Sequence, residues 1–280
     1  MVRVLLRRLG LGVAASSLMF VTWAAHADQG IVAYDNNLSL SFVQSHVEYG
    51  ERLVPPDGPY FDTESGFIHG GRVAISGMGT DKVPNVYFHL SYSQTTGNLN
   101  YVGGIQNSNG TTTPLTESTH AQMTDIGMRL GQGFAITDWM MLVPYVAYGS
   151  RHWARGEPAT TAAPYNYYES YRNQYAGFGV LWQVEPVHHF ITTLNLAYGS
   201  TVHPTITVPA LGFAEGLGPK PWKRAGITFD YLINRYESVF ASAVYTQFQY
   251  GAGPVVAGIG NEPFSQTEIT NYNVGARFLF

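Results

Sequence analysis

Hydrophobic and polar side chains alternate along most of this chain beyond residue 36. The stretch from Ala121 to Ile136 shows the pattern most plainly. Ile126, Met128, Leu130, Phe134 and Ile136 share one parity, while Asp125, Gly127, Arg129, Gly131 and Gly133 share the other. A repeat of two places alternate side chains on opposite faces of an extended strand. Ten segments carry it: Asn37 to Tyr49, Phe67 to Gly79, Val86 to Tyr101, Ala121 to Ile136, Trp139 to Trp153, Tyr168 to Val184, Val187 to Val202, Trp222 to Ile233, Tyr236 to Tyr250 and Glu268 to Phe280. Helical stripes at i, i+3 and i+4 do not appear. Three segments read less cleanly. Asn37 to Tyr49 loses its alternation in the upper half, which suggests a bulge. Trp139 to Trp153 is apolar on both faces and cannot be oriented from its pattern. Tyr236 to Tyr250 sets Phe240, Val244 and Phe248 opposite Glu237, Gln247 and Gln249.

The connections alternate between short and long. Thr80–Asn85, Thr137–Asp138, Glu185–Pro186 and Asn234–Arg235 are short; 50–66, 102–120, 154–167, 203–221 and 251–267 are long. An even number of antiparallel strands with short turns at one end and long loops at the other predicts an all-β, up-and-down transmembrane barrel. Ten strands with both chain ends on the short-turn side leave five long loops and nothing unassigned. Eight strands would need overlong loops, and twelve would need a further hairpin. Ala-Tyr-Gly-Ser at 147–150 and again at 197–200 places Tyr148 and Tyr198 at one rim, with Trp139, Trp182, Tyr236 and Phe280 at the other. A soluble sandwich of two sheets also alternates, but it leaves the loop asymmetry without a cause.

Composition agrees with a wall that faces lipid. Only 12% of the 280 residues are charged and 45% are hydrophobic, against about 25% charged in an ordinary soluble domain. Met1 to Ala27 reads as a secretory signal: Arg3, Arg7 and Arg8, then a mostly apolar run, then Ala25-His26-Ala27 as a small-x-small cleavage site. That division makes residues 28–280 the barrel domain. No later run of 18 apolar residues predicts a membrane helix. Without the three leader arginines, 12 basic residues face 19 acidic ones, a net charge of −7, which disfavours nucleic acid as a partner. The absence of Cys excludes disulfides and thiolate metal sites.

The final segment carries a resemblance. Tyr272, Val274, Ala276, Phe278 and Phe280 form its apolar face, and the chain ends on that Phe. In this the chain resembles bacterial outer-membrane β-barrel proteins, whose last strand closes the barrel. The resemblance implies location in the outer membrane, contact with the lipid bilayer and with lipopolysaccharide, and recognition of the C-terminal strand by the assembly machinery. It names no activity.

Candidate chemistry was sought on that frame. Omptin-like proteases, similar in size, use an Asp pair and an Asp-His pair at the barrel mouth. The upper acids Asp57, Asp62, Glu64, Glu117, Glu157, Glu169, Glu215 and Glu262, with His120, His152 and His203, show no matching spacing. His89 and Ser91 match the His-x-Ser spacing of lipid A deacylases, but the register points them into the lumen rather than at lipid. His188 and His189, as strand neighbours, should face opposite ways and cannot chelate one metal together. No catalytic, cofactor or metal site is expected. Two features remain. Arg72, Asp125, Arg129, Arg224, Asp230, Glu237 and Arg277 fall on the lumenal parity and should pair into two ionic clusters that plug a narrow barrel. Val208, Leu211, Phe213, Val255, Val256 and Ile259 make two outer loops unusually apolar, as a lid or a contact surface would be. The expected function is surface contact or binding of an extracellular ligand by the loops. A narrow channel for small solutes is the alternative, and an outer-membrane enzyme the third reading.

Overall fold

The structure, a computed structural model, describes residues 29–52, 60, 62–79, 85–106, 111–156, 168–255 and 262–280. A short helix, α1 (Gln29–Asp35), precedes the strands β1 (Asn37–Arg52), β2 (Asp62–Met78), β3 (Val86–Gln106), β4 (Thr112–Gln132), β5 (Phe134–Thr137), β6 (Met140–Gly156), β7 (Tyr168–Val187), β8 (Phe190–Val208), β9 (Phe213–Gly216), β10 (Gly218–Asn234), β11 (Glu237–Gly251) and β12 (Phe264–Leu279). Each wall strand pairs antiparallel with its sequence neighbours, β1 pairs with β12, and β10 pairs with β8. The ring is therefore closed and has no free edge in its spanning part, as a lipid environment demands of any β structure. β5 continues β4 past Gly133, and β9 folds back on the outer end of β8, so ten strands form the wall.

The parity of each strand decides what faces lipid. Phe42, Leu130, Val146, Phe178, Leu196, Phe229 and Val274 project outward and are exposed, Phe178 to 66%. Tyr148 and Tyr198 at one rim and Trp139, Trp182, Tyr236 and Phe280 at the other are also exposed, a pair of girdles suited to headgroups. An Arg at Leu130 or Phe229 should cost about 2–4 kcal/mol near the bilayer midplane. Urea unfolding from liposomes measures this directly; a wild-type midpoint for both variants would show that these side chains do not meet lipid.

Three details differ from the sequence pattern. β1 pairs without a register shift along its length on both sides, so it has no bulge. Its alternation only seems to fade, because the inward face turns apolar at Val43, Val47 and Tyr49, which are buried. A bulge does occur opposite Asn173, between Val202 and Thr205 in the β7–β8 pair. β11 is inverted relative to its pattern: Val244, Thr246, Phe248 and Tyr250 are buried inward, while Val239 faces out. Hydrophobicity marks the lipid side only where the lumen is polar, and the upper lumen is not. The strands also run further outward than the alternation does. β3 and β4 stay paired up to Gln106 and Thr112, so much of the second long connection is ladder.

Candidate functional site

The lumen is filled in three layers. At the short-turn end lies α1, seven residues long. Ile31 buries its side chain in a cluster with Met78, Tyr87, Met141, Val143, Tyr145 and Leu181. Tyr34 donates its hydroxyl to Asp230 Oδ2 at 2.6 Å, and Arg277 Nε donates to Asp230 Oδ1 at 2.7 Å. Gln183 donates to Asp35 Oδ1 at 2.9 Å. Asn36 locks the helix end to β2, accepting from the Met78 amide at 2.9 Å and donating to its carbonyl at 3.1 Å. Burial pushes the Asp35 carboxyl, which lies outside the spanning strands, up to about 7.

The middle layer is polar. Arg72, His89, Arg129 and Arg224 line two adjoining cavities of about 50 Å³ and about 90 Å³. Just above, Asp125 pairs with Arg151 at 2.8 Å and accepts from Tyr175 at 3.1 Å. Tyr175 can lie across the lumen because Gly149 stands beside it; a Cβ there would sit 2.3 Å from the ring. In the second copy of the tetrapeptide, Gly199 instead sits against the β7 backbone, where a Cβ would lie 2.1 Å from the Ala176 carbonyl oxygen.

The upper layer is aromatic with a charged top. Trp153, fully buried, stacks on Tyr171 at 5.5 Å and meets the edge of Tyr49 at 4.8 Å; Tyr171 stacks on Tyr250 at 5.9 Å, and Tyr175 on Trp222 at 4.9 Å. Arg155 sits over the Tyr49 ring, 4.4 Å from its centroid. It pairs with Glu51 at 2.8 Å, with Glu64 at 3.5 Å and with Glu169. Tyr171 donates to Glu262 at 2.7 Å. Glu262, which precedes β12, has its carboxyl pushed well up by burial and then by Glu51 and Glu169. One guanidinium thus meets three carboxylates, with a fourth beside them.

The expected lumenal charges distribute as follows. Asp230 and Arg277 pair at the bottom. Glu237 does not join them: it lies on the outward parity, exposed at the turn, and accepts from Asn234 at 3.1 Å. Asp125 pairs with Arg151 rather than with Arg72 or Arg129. Of the apolar outer residues, Val208 and Phe213 are buried in the cluster that holds Tyr49, Trp153 and Trp222, whereas Leu211 and Val255 are exposed. Val256 and Ile259 lie outside the described residues, as do Asp57, Glu157 and the segment 1–27.

The Trp139–Trp153 pattern is apolar on both parities, which hides Arg151, and Arg155 falls in the connection 154–167. Yet Arg151 and Arg155 share the parity of Tyr145 and Trp153, and two arginines in one register would have oriented the strand. His46 lies 3.8 Å from Glu48 on the outward face of β1. His120 contacts Thr96 and Asn98 at 3.3 and 3.4 Å, and His152 contacts Ser170 at 2.9 Å. Ser91 donates to the Gly127 carbonyl at 3.5 Å, and His89 faces Arg72 at the same separation. His188 and His189 do not point apart; their rings lie 4.1 Å from each other, since His189 takes φ of 73° in the turn and breaks the alternation. No group of three or more metal-ligating side chains occurs among the described residues.

Solved structures match this fold. The outer membrane protease OmpT from Escherichia coli superposes with a TM-score of 0.56 at 9% identity, covering 87% of this chain and 95% of that one. The outer membrane protein OprG from Pseudomonas aeruginosa gives 0.38 at 10% identity, covering 88% and 96%. Ail, the attachment invasion locus protein of Yersinia pestis, gives 0.31 at 10% identity, covering 88% and 99%. No protein-family model and no curated protein matches the sequence. The closed wall, its exposed apolar belt and its aromatic girdles define an outer-membrane β-barrel, with a surface suited to the lipid of that membrane.

Proposed function

We propose that this barrel is a closed, non-enzymatic scaffold whose outer end makes contact with a ligand at the cell surface. One observation carries the reading: α1 with its apolar cluster closes the lumen below the two central cavities, and the aromatic layer around Trp153 closes it above them. A small barrel so filled has no aqueous path, which leaves the outer extensions as the working surface. The β3–β4 hairpin supports this. Thr112, Thr113, Pro114, Thr116, Glu117 and Ser118 on it are exposed. β4 pairs with β6 only from Ala121 downward, so among the described residues 112–120 presents an edge on that side. Such an edge can take an added strand from a partner. OmpT is a protease; here the histidine–carboxylate contacts among the described residues are His46 with Glu48 at 3.8 Å, on the outward face of β1, and His188 with Glu185 at 3.3 Å, in a short turn, and neither faces the lumen. Segment 1–27 would direct export.

Removing residues 103–115 tests the reading, because it leaves the spanning ladder untouched. Attachment of expressing cells to cultured cells and to lipopolysaccharide-coated surfaces should fall several-fold, while heat-modifiable migration persists. Unchanged attachment would return the function to the lumen.

A further inference from the structure

We propose that the middle of the barrel binds one small inorganic anion between Arg72, Arg129 and Arg224. The other lumenal arginines each have an acid: Arg151 has Asp125, Arg155 has Glu51 and its neighbours, and Arg277 has Asp230. No ion pair joins Arg72, Arg129 or Arg224 to a carboxylate among the described residues. Asp125 lines the upper cavity with them, but Arg151 and Tyr175 already engage it.

The contacts these arginines do make are neutral. Arg72 Nη2 lies 3.5 Å from His89 Nε2. Arg129 stands over the Tyr145 ring at 5.2 Å and is hydrogen-bonded to Tyr87. Arg224 Nε and His89 Nδ1 are buried without any partner. Three cations gathered in a poorly hydrated interior, with donor atoms left unmade, are costly unless an anion offsets them. Guanidinium groups are the side chains best shaped for that, since their N–H forks match oxyanions and pair strongly with them.

The space fits such an occupant. All three arginines line both cavities, together with His89. A cavity needs only about 10–15 Å³ to hold a water, so about 50 Å³ beside about 90 Å³ accommodates an ion from chloride to phosphate in size. Ser41 and Thr228 at the lower cavity add hydroxyl donors. The alternative occupant is water alone, and the chemistry separates the two: water leaves the charge uncompensated, whereas an anion responds to removal of any one arginine. The proposal stands whether or not the lumen conducts.

The test uses the full mature protein refolded in detergent with gluconate as the sole anion. Sodium chloride, sodium sulfate and inorganic phosphate are then titrated separately at constant ionic strength, and the unfolding temperature is read from heat-modifiable migration. At least one of these anions should raise the midpoint saturably by several degrees, and radiolabelled ion of that kind should remain bound at one per barrel after desalting. Arg224→Met and Arg72→Met should abolish the saturable rise. They should equal or exceed the unmodified protein in gluconate and fall below it at saturating anion. That crossing is what a purely structural arginine would not produce. Lys223→Met, the same charge change on the exposed outward face, should leave the rise intact. A flat midpoint in all three salts with no retained label would mean that waters fill the cavity, and would overturn the proposal. So would an equal rise in Arg72→Met and Arg224→Met.

Discussion

Deleting residues 29–35 should open the lower cavity to water from the short-turn end while the barrel stays silent, because the aromatic layer around Trp153 still closes the outer mouth. The helix is a plug of seven residues, too short to hold its shape without packing, and its hold on the wall is specific. Ile31 fills the apolar bottom cluster, Tyr34 reaches Asp230, and Asp35 takes the Gln183 amide. Without them the lower cavity opens to the periplasmic side. The first charged groups an entering ion then meets include Arg72, Arg129 and Arg224, which carry no paired acid and favour anions. A Thr228→Cys variant, at the lower cavity, should react with a water-soluble anionic maleimide only when residues 29–35 are absent, and equal labelling with the helix present would show that α1 does not plug the barrel. The attachment also depends on pH. Burial raises the Asp35 carboxyl from 3.8 to about 7, so the docked helix binds a proton more tightly than the free one. By linkage, docking is strongest below pH 4, weakens as pH rises from 4 to 7, and is weakest above 7. The hydrogen-exchange protection factors of residues 31–35, taken against the intrinsic rate at each pH, should therefore fall across that window, and Asp35→Asn should remove the fall. Protection factors that are flat with pH in the unmodified protein would contradict the assignment.

Arg155→Leu should be the most damaging single change at the outer end. It strips the one cation from Glu51, Glu64 and Glu169, with Glu262 close by, all of them buried. Breaking a buried pair from one side typically costs about 3–5 kcal/mol, because the stranded charge stays buried. Urea unfolding from liposomes at pH 7 should show a loss of this size. The loss should shrink as pH falls and the carboxylates protonate. Glu51→Gln combined with Arg155→Leu should recover part of it. An unfolding midpoint equal to that of the unmodified protein would mean that the cluster is solvated, and that the upper layer does not seal the mouth.

Most of the wall was legible in the sequence because lipid and a polar lumen impose opposite demands on alternate residues. Where the lumen is polar, as along β4, β10 and β12, parity named the inward charges, and Asp230 and Arg277 were found at the same depth. Where the lumen is aromatic, the two faces look alike. The β6 pattern carries no orientation, the β11 pattern points the wrong way, and the β1 pattern mimics a bulge, all for this one reason. The same cause hid the Arg155 cluster, whose acids sat in stretches read as solvated loop. The helix α1 escaped because seven residues offer only Ile31 and Tyr34 as an apolar pair, too little to display a period. Val208 and Phe213 were legible as apolar outer residues. Whether they faced solvent or the core depended on the fold of β8 against β9, which composition does not encode.

Single-channel recording of the unmodified barrel, residues 28–280, in a planar bilayer tests the closed lumen most directly. The filled layers predict a flat baseline at all moderate voltages, from protein whose insertion is verified by heat-modifiable migration of the same preparation. Steady, resolvable conductance steps from that protein would contradict the account, since no ion could cross both α1 and the Trp153 layer without a path that the filled lumen denies.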